Sequence, residues 1–190
     1  MARRCSALVR SGPAALAAGL VLCLAAAAAA KVFSTRDEAL ARVFAGADRV
    51  ERVSAFLSRE EMAAASKLAA VAVDSGLFTY YRAVKDGAVQ GYAVFASHVV
   101  RTRQAVTLVV VEPDLRVRSV EVLAFFEPRE YLPSKRWFAL FRGLVLGEDL
   151  RPGRDVRAVT GATLSVATIT AEVRKTLAVL EVLLGEKKGD

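Results

Sequence analysis

The stretch FTYYRAVKDGAVQGYAVFAS, Phe78 to Ser97, decides the fold. Aromatic and β-branched residues fill Phe78 to Val84, as strands favour. Asp86-Gly87 follows, a dipeptide that accepts the positive φ angles of a two-residue hairpin turn. Ala88 to Ser97 then returns, with Gly91 marking a bulge or a close backbone approach. Further on, Ala105 to Val111 is a continuous apolar strand, Pro113-Asp114 makes a turn, and Val117 to Phe126 comes back. The four strands read as an antiparallel meander.

Helices flank the meander. Thr35-Arg-Asp-Glu38 is a capping box, with Thr35 as N-cap and Glu38 three residues on. It opens a helix to about Ala45, with Leu40, Val43 and Phe44 as its apolar face. Arg49 to Phe56 reads as a short strand. Ser58-Arg-Glu-Glu61 is a second capping box, starting a helix to about Ala70. Glu127 to Pro133 is a polar loop, after which Ser134 caps a short helix carrying Trp137, Phe138 and Phe141. Gly143 to Gly153 is a loop. At the end, Val166, Ile169, Val173, Leu177, Leu180 and Leu184 recur every three or four residues, forming one face of an amphipathic helix that Gly185 ends. The class is α+β, with helices packed on an antiparallel sheet.

Residues 1–30 have a different character. Arg3, Arg4 and Arg10 precede an unbroken small and apolar run from Ala14 to Ala30 that ends in an A-x-A-type site. This is the pattern of a secretory signal peptide, with an N-terminal membrane anchor as the alternative. Either assignment exports the rest of the chain to the periplasmic side. Both cysteines, Cys5 and Cys23, lie in this leader, and the chain has one histidine. That excludes a disulfide scaffold and a structural zinc site. Removing the leader's three arginines lowers the net charge from +7 to +4. The remaining basic residues are scattered and not gathered in a stripe with aromatics, so no nucleic-acid partner is expected. The expected organisation is a leader at 1–30, an N-terminal helical region at 31–75, a ligand-binding domain at 76–185 and a polar tail at 186–190.

Chemistry concentrates in Val156 to Ser165, just before the last helix. Thr160 and Thr163 are candidate N-caps, and Gly161 and Ala162 allow a ligand close to the backbone. The first turn of a helix offers free N–H groups and partial positive charge, which suit a phosphate. A threonine hydroxyl there can also hold a phosphate as an ester. On spacing alone, a turn followed by a cap explains the same residues.

Thr160-Gly161-Ala162-Thr163-Leu164-Ser165 resembles the Ser/Thr-Gly-Ala-Thr-x-Ser/Thr motif of the FMN-binding domains found in the G subunit of the Rnf electron-transport complex and the C subunit of the sodium-pumping quinone reductase. The resemblance covers roughly residues 76–184. It includes Gly91-Tyr92-Ala93-Val94 in the hairpin and the order Phe125-Phe126-Glu127-Pro128, aromatic helix, Gly143. It implies FMN joined by a phosphoester to Thr163, attached by a flavin transferase that uses FAD and magnesium. Thr160, Gly161, Ala162, Leu164 and Ser165 are then neighbours of the cofactor. Glu127 and Tyr131 lie in the loop that resembles the family's flavin cover. One position departs. Three residues before the first threonine the family has an aspartate, read by the transferase; here it is Arg157, with Asp155 two residues earlier. Arg157 also suits pairing with the phosphate of non-covalent FMN.

The other aromatics, Tyr80, Tyr81, Tyr92, Phe125, Phe126, Trp137, Phe138 and Phe141, read mainly as core. His98 reads as a surface residue at a strand end. No catalytic residue and no metal ligand is assigned. With no second redox centre in the chain, the resemblance implies an electron-transfer relay between a membrane or periplasmic donor and acceptor, not a self-contained enzyme. The alternative is a module that binds FMN or another phosphate ligand without electron transfer, or a membrane-associated sensor.

Overall fold

A computed structural model describes residues 31–185. The leader and the polar tail lie outside the described residues. A six-stranded antiparallel sheet has the order β1-β6-β5-β4-β3-β2. Its strands are β1 (Lys31–Val32), β2 (Arg49–Phe56), β3 (Leu77–Lys85), β4 (Ala88–Val99), β5 (Gln104–Val111) and β6 (Val117–Phe125). The α+β class is as the sequence predicts. The sheet is wider than the predicted meander, because β2 adds to β3 along its whole length and two-residue β1 pairs with the end of β6.

Local chemistry explains the turns. Asp86 and Gly87 both have positive φ, 49° and 76°, as their hairpin requires. Gly91 has φ 152° beside a register shift in the β3–β4 pair. A Cβ there would stand 2.6 Å from the Val111 carbonyl oxygen, so only glycine lets β5 approach.

Helices α1 (Arg36–Val43), α2 (Arg59–Ala69) and α4 (Thr163–Gly185) are long; α3 (Lys135–Phe138) is a single turn. Both capping boxes form: Thr35 with Glu38, and Ser58 with Glu61. Ser134 stands at the N-cap of α3 but makes no side-chain cap bond. Helix α4 lies over one sheet face and buries Val166, Ile169, Val173, Leu177 and Leu180 against Tyr80, Tyr92, Val94, Val109 and Val111. Helix α1 covers the opposite face, seating Leu40 and Phe44 on Tyr81, Ala83, Ala93, Leu108 and Val110. Helix α2 packs on α4 through small residues, Ala65 and Ala69 against Ala178 and Val179. Arg174 on α4 donates to the Ala69, Gly147 and Leu150 carbonyls, tying the end of α2 and the 143–153 loop to the last helix. Among the described residues no helix is long and apolar enough to cross a membrane.

Candidate functional site

The start of α4 is built differently from the starts of α1 and α2. Thr163 is its first residue, and Ala162 occupies the capping position, where its carbonyl accepts from the Val166 N–H at 2.9 Å. This corrects the expectation that Thr160 or Thr163 caps the helix. The Thr163 hydroxyl instead donates back to the Val159 carbonyl at 3.5 Å, a marginal bond, and Thr160 makes no cap bond. Alanine is a poor N-cap because it has no oxygen to offer. Among the described residues, the Thr163, Leu164 and Ser165 N–H groups find no acceptor. Gly161, with φ 84°, turns the chain into the helix without a side chain in the way.

A cleft of about 210 Å³ opens at this turn, lined by Gly161, Ala162, Thr163, Leu164, Ser165, Tyr131 and Arg101. Thr160, Gly161, Thr163 and Leu164 are exposed, while Ala162 and Ser165 are buried. The structure thus brings together most of the residues singled out in the sequence. Ser165 donates its hydroxyl proton to the Tyr131 carbonyl at 2.5 Å, so the loop before α3 is fastened to the first turn of α4. The Arg101 guanidinium lies 4.4 Å from the Tyr131 ring centroid, a cation–π distance.

Glu127 is placed otherwise. It does not line the cleft; it is buried, and one carboxylate oxygen accepts from the Thr102 N–H at 2.7 Å, the Arg103 N–H at 2.9 Å and the Thr102 hydroxyl at 3.3 Å. Those bonds, the Thr102 amide first, hold its carboxyl below the usual 4.5. Its effect is to fix the β4–β5 loop that carries Arg101. Arg157 also lies outside the lining. Its side chain is exposed, and its carbonyl accepts from the Trp137 indole N–H at 2.7 Å.

Arg101 was not singled out by the sequence reading. The Arg101-Thr102-Arg103 run between two strands is the only local signal; its link to α4 comes through Tyr131, thirty residues away. His98 corrects a second expectation. It is buried on β4, and among the described residues neither ring nitrogen has a hydrogen-bond partner. Burial pushes its pKa below 6.5, opposed by the Glu172 charge on α4. Tyr80, Tyr81, Tyr92, Phe125, Trp137 and Phe141 are core, as expected.

The larger groove, about 780 Å³, lies elsewhere, along β6. Size alone would favour it, but the free helix N–H groups, the exposed hydroxyl and the guanidinium gather at the smaller cleft. No family model matches the chain, and no curated protein matches it. The fold is similar to that of NqrC from Shewanella oneidensis in its crystal structure, with a TM-score of 0.53 and 16% identity over 87% of this chain and 94% of that one. At that identity the likeness is one of fold.

Proposed function

We propose that this chain is an exported flavoprotein that carries FMN, phosphoester-linked to Thr163, and relays electrons at the outer side of the cytoplasmic membrane. The observation that carries the reading is the uncapped start of α4. An exposed Thr163 hydroxyl stands there among N–H groups that find no acceptor among the described residues, with Arg101 lining the same cleft. The motif's resemblance to FMN-binding domains and the fold shared with NqrC support it.

The residues fit the phosphate end of the cofactor. The Thr163, Leu164 and Ser165 amides and the α4 dipole favour an anion, and Arg101 supplies a full positive charge. Attachment forms a bond from Thr163 Oγ to the FMN phosphorus and breaks the pyrophosphate of FAD; AMP leaves and the hydroxyl proton passes to solvent. A flavin transferase is the partner for that step. When bound, FMN supplies one- and two-electron redox chemistry. The chain's own residues bind, orient and leave room. Ser165 holds Tyr131 against α4, Glu127 holds the loop of Arg101, and Gly161 leaves the approach clear. Ligand pockets usually exceed about 300 Å³. A cleft of about 210 Å³ is of a size to take the phosphate end, which Thr163, Arg101 and the free amides would hold.

The second reading is a module with non-covalent FMN. It is favoured by Arg157 at the place where the family has aspartate. Co-expression with a competent transferase, followed by a denaturing gel read for flavin fluorescence, separates the two. A fluorescent band that disappears in Thr163→Ala and persists in Arg157→Asp supports the covalent carrier, and reversible bleaching on mild reduction supports the relay. A yellow native protein with a dark band selects the module. A colourless protein overturns both.

A further inference from the structure

The sheet has two open edges, and they differ. On β2, Glu51 is ion-paired with Arg49 and with Arg82 of β3, both at 2.6 Å, and Arg52 stands exposed beside them, so charged side chains line that edge. Charges of this kind blunt an edge strand. On β6 the outer side is clasped at two points. The Phe33 N–H donates to the Leu123 carbonyl at 2.7 Å, and Val117 exchanges bonds with Gly143 and Leu144 at 2.7 and 2.8 Å. Between the clasps, Arg118 to Val122 pairs with β5 on its inner side and, among the described residues, with no strand on its outer side.

The 780 Å³ groove runs along this open stretch. Arg129, Lys135 and Arg142 line it, are exposed, and make no ion pair among the described residues. The groove's carboxylate, Glu121, is already engaged by Arg42 at 3.0 Å. Half-buried Leu132 and Phe138 add apolar surface to the same wall. Main chain and positive charge that find no partner among the described residues thus coincide with a concave wall on one edge.

We propose that this groove docks an extended, acidic segment of a partner protein, added to β6 as a further strand. Main-chain hydrogen bonds to the Arg118–Val122 edge supply affinity, and Arg129, Lys135 and Arg142 select acidic side chains. The open stretch is about 17 Å long at ~3.4 Å per residue, which sets the length of the pairing segment. The segment Arg129–Pro133 separates the groove from the Thr163 cleft, since Tyr131 lines the cleft and its neighbours line the groove. On the flavin reading, docking therefore sets a partner beside the cofactor; the docking itself does not depend on that reading.

The test is fluorescence anisotropy of the full chain with a labelled peptide of alternating Glu and Val. The peptide is expected to bind. Affinity should fall by about tenfold or more in the double variant Lys135→Glu with Arg142→Glu, whose fold is checked by circular dichroism. It should fall similarly when alternate peptide amides are N-methylated, which leaves the protein untouched and removes main-chain donors. Failure to bind, or no effect of charge reversal, overturns the proposal. Equal binding of the methylated peptide overturns the added strand. Capture by phosphatidylserine vesicles that depends on Lys135 and Arg142, with no peptide binding, assigns the groove to a membrane surface instead.

Discussion

Thr163 does little for the fold. It is exposed, and its one bond, to the Val159 carbonyl, is at the limit of hydrogen-bond length. Thr163→Ala is therefore expected to change unfolding free energy by no more than about 0.5 kcal/mol in urea titration, while removing the covalent flavin. Ser165 is the opposite case. Ser165→Ala leaves the half-buried Tyr131 carbonyl without its partner and should cost about 1 kcal/mol in the same titration.

Two buried titratable groups give acid sensitivity in separate windows. His98 has a lowered pKa, so below 6.5 the unfolded chain takes a proton that the folded chain refuses. Stability falls as pH drops from 6.5 to the lowered value and then levels. Glu127 is also lowered, so its contribution is full above 4.5 and is lost as pH falls through its folded value. Urea midpoints measured against pH should show both slopes. His98→Leu should remove the upper slope, and Glu127→Gln should reduce the lower one, to which Glu38 and Glu51, also lowered by their hydrogen bonds, contribute as well. Neither role was legible locally. His98 looks like a polar strand end until α4 is laid over β4, and Glu127 looks like a cofactor ligand until the β4–β5 loop reaches it.

At the scale of elements, the boundaries written in short-range chemistry were legible. Both capping boxes, the Asp86-Gly87 hairpin and the 3-to-4-residue period of α4 depend on neighbours within a turn or two, and the structure places them as the sequence predicts. Two-residue β1 has no period to read, and it exists only because the end of β6 accepts it. Gly91 was recognised as special, but its reason, the Val111 carbonyl, lies on the next strand. Gly91→Ala meets both a strained φ and that oxygen. It should destabilise the chain by about 2–3 kcal/mol or more in chemical denaturation, with the loss centred on the β3–β4–β5 contact.

Over the whole molecule, α4 is the strut that connects site and core. Its first turn forms the cleft, its apolar face covers the sheet, and Arg174 ties it to α2 and the loop before it. Ile169, fully buried less than two turns along α4 from Thr163, measures that coupling. Ile169→Ala should cost about 2–5 kcal/mol of stability, read from the thermal or urea midpoint. The motif itself was visible in the sequence; the guanidinium that completes the cleft was not, because Arg101 reaches it only through tertiary folding. The central claim is that Thr163 bears the flavin. It is tested most directly by tandem mass spectrometry of the tryptic peptide Ala158–Arg174 from protein co-expressed with a flavin transferase. The account predicts fragment ions that place one FMN phosphoester on Thr163. An unmodified peptide, or FMN on Thr160 or Ser165 instead, would contradict it.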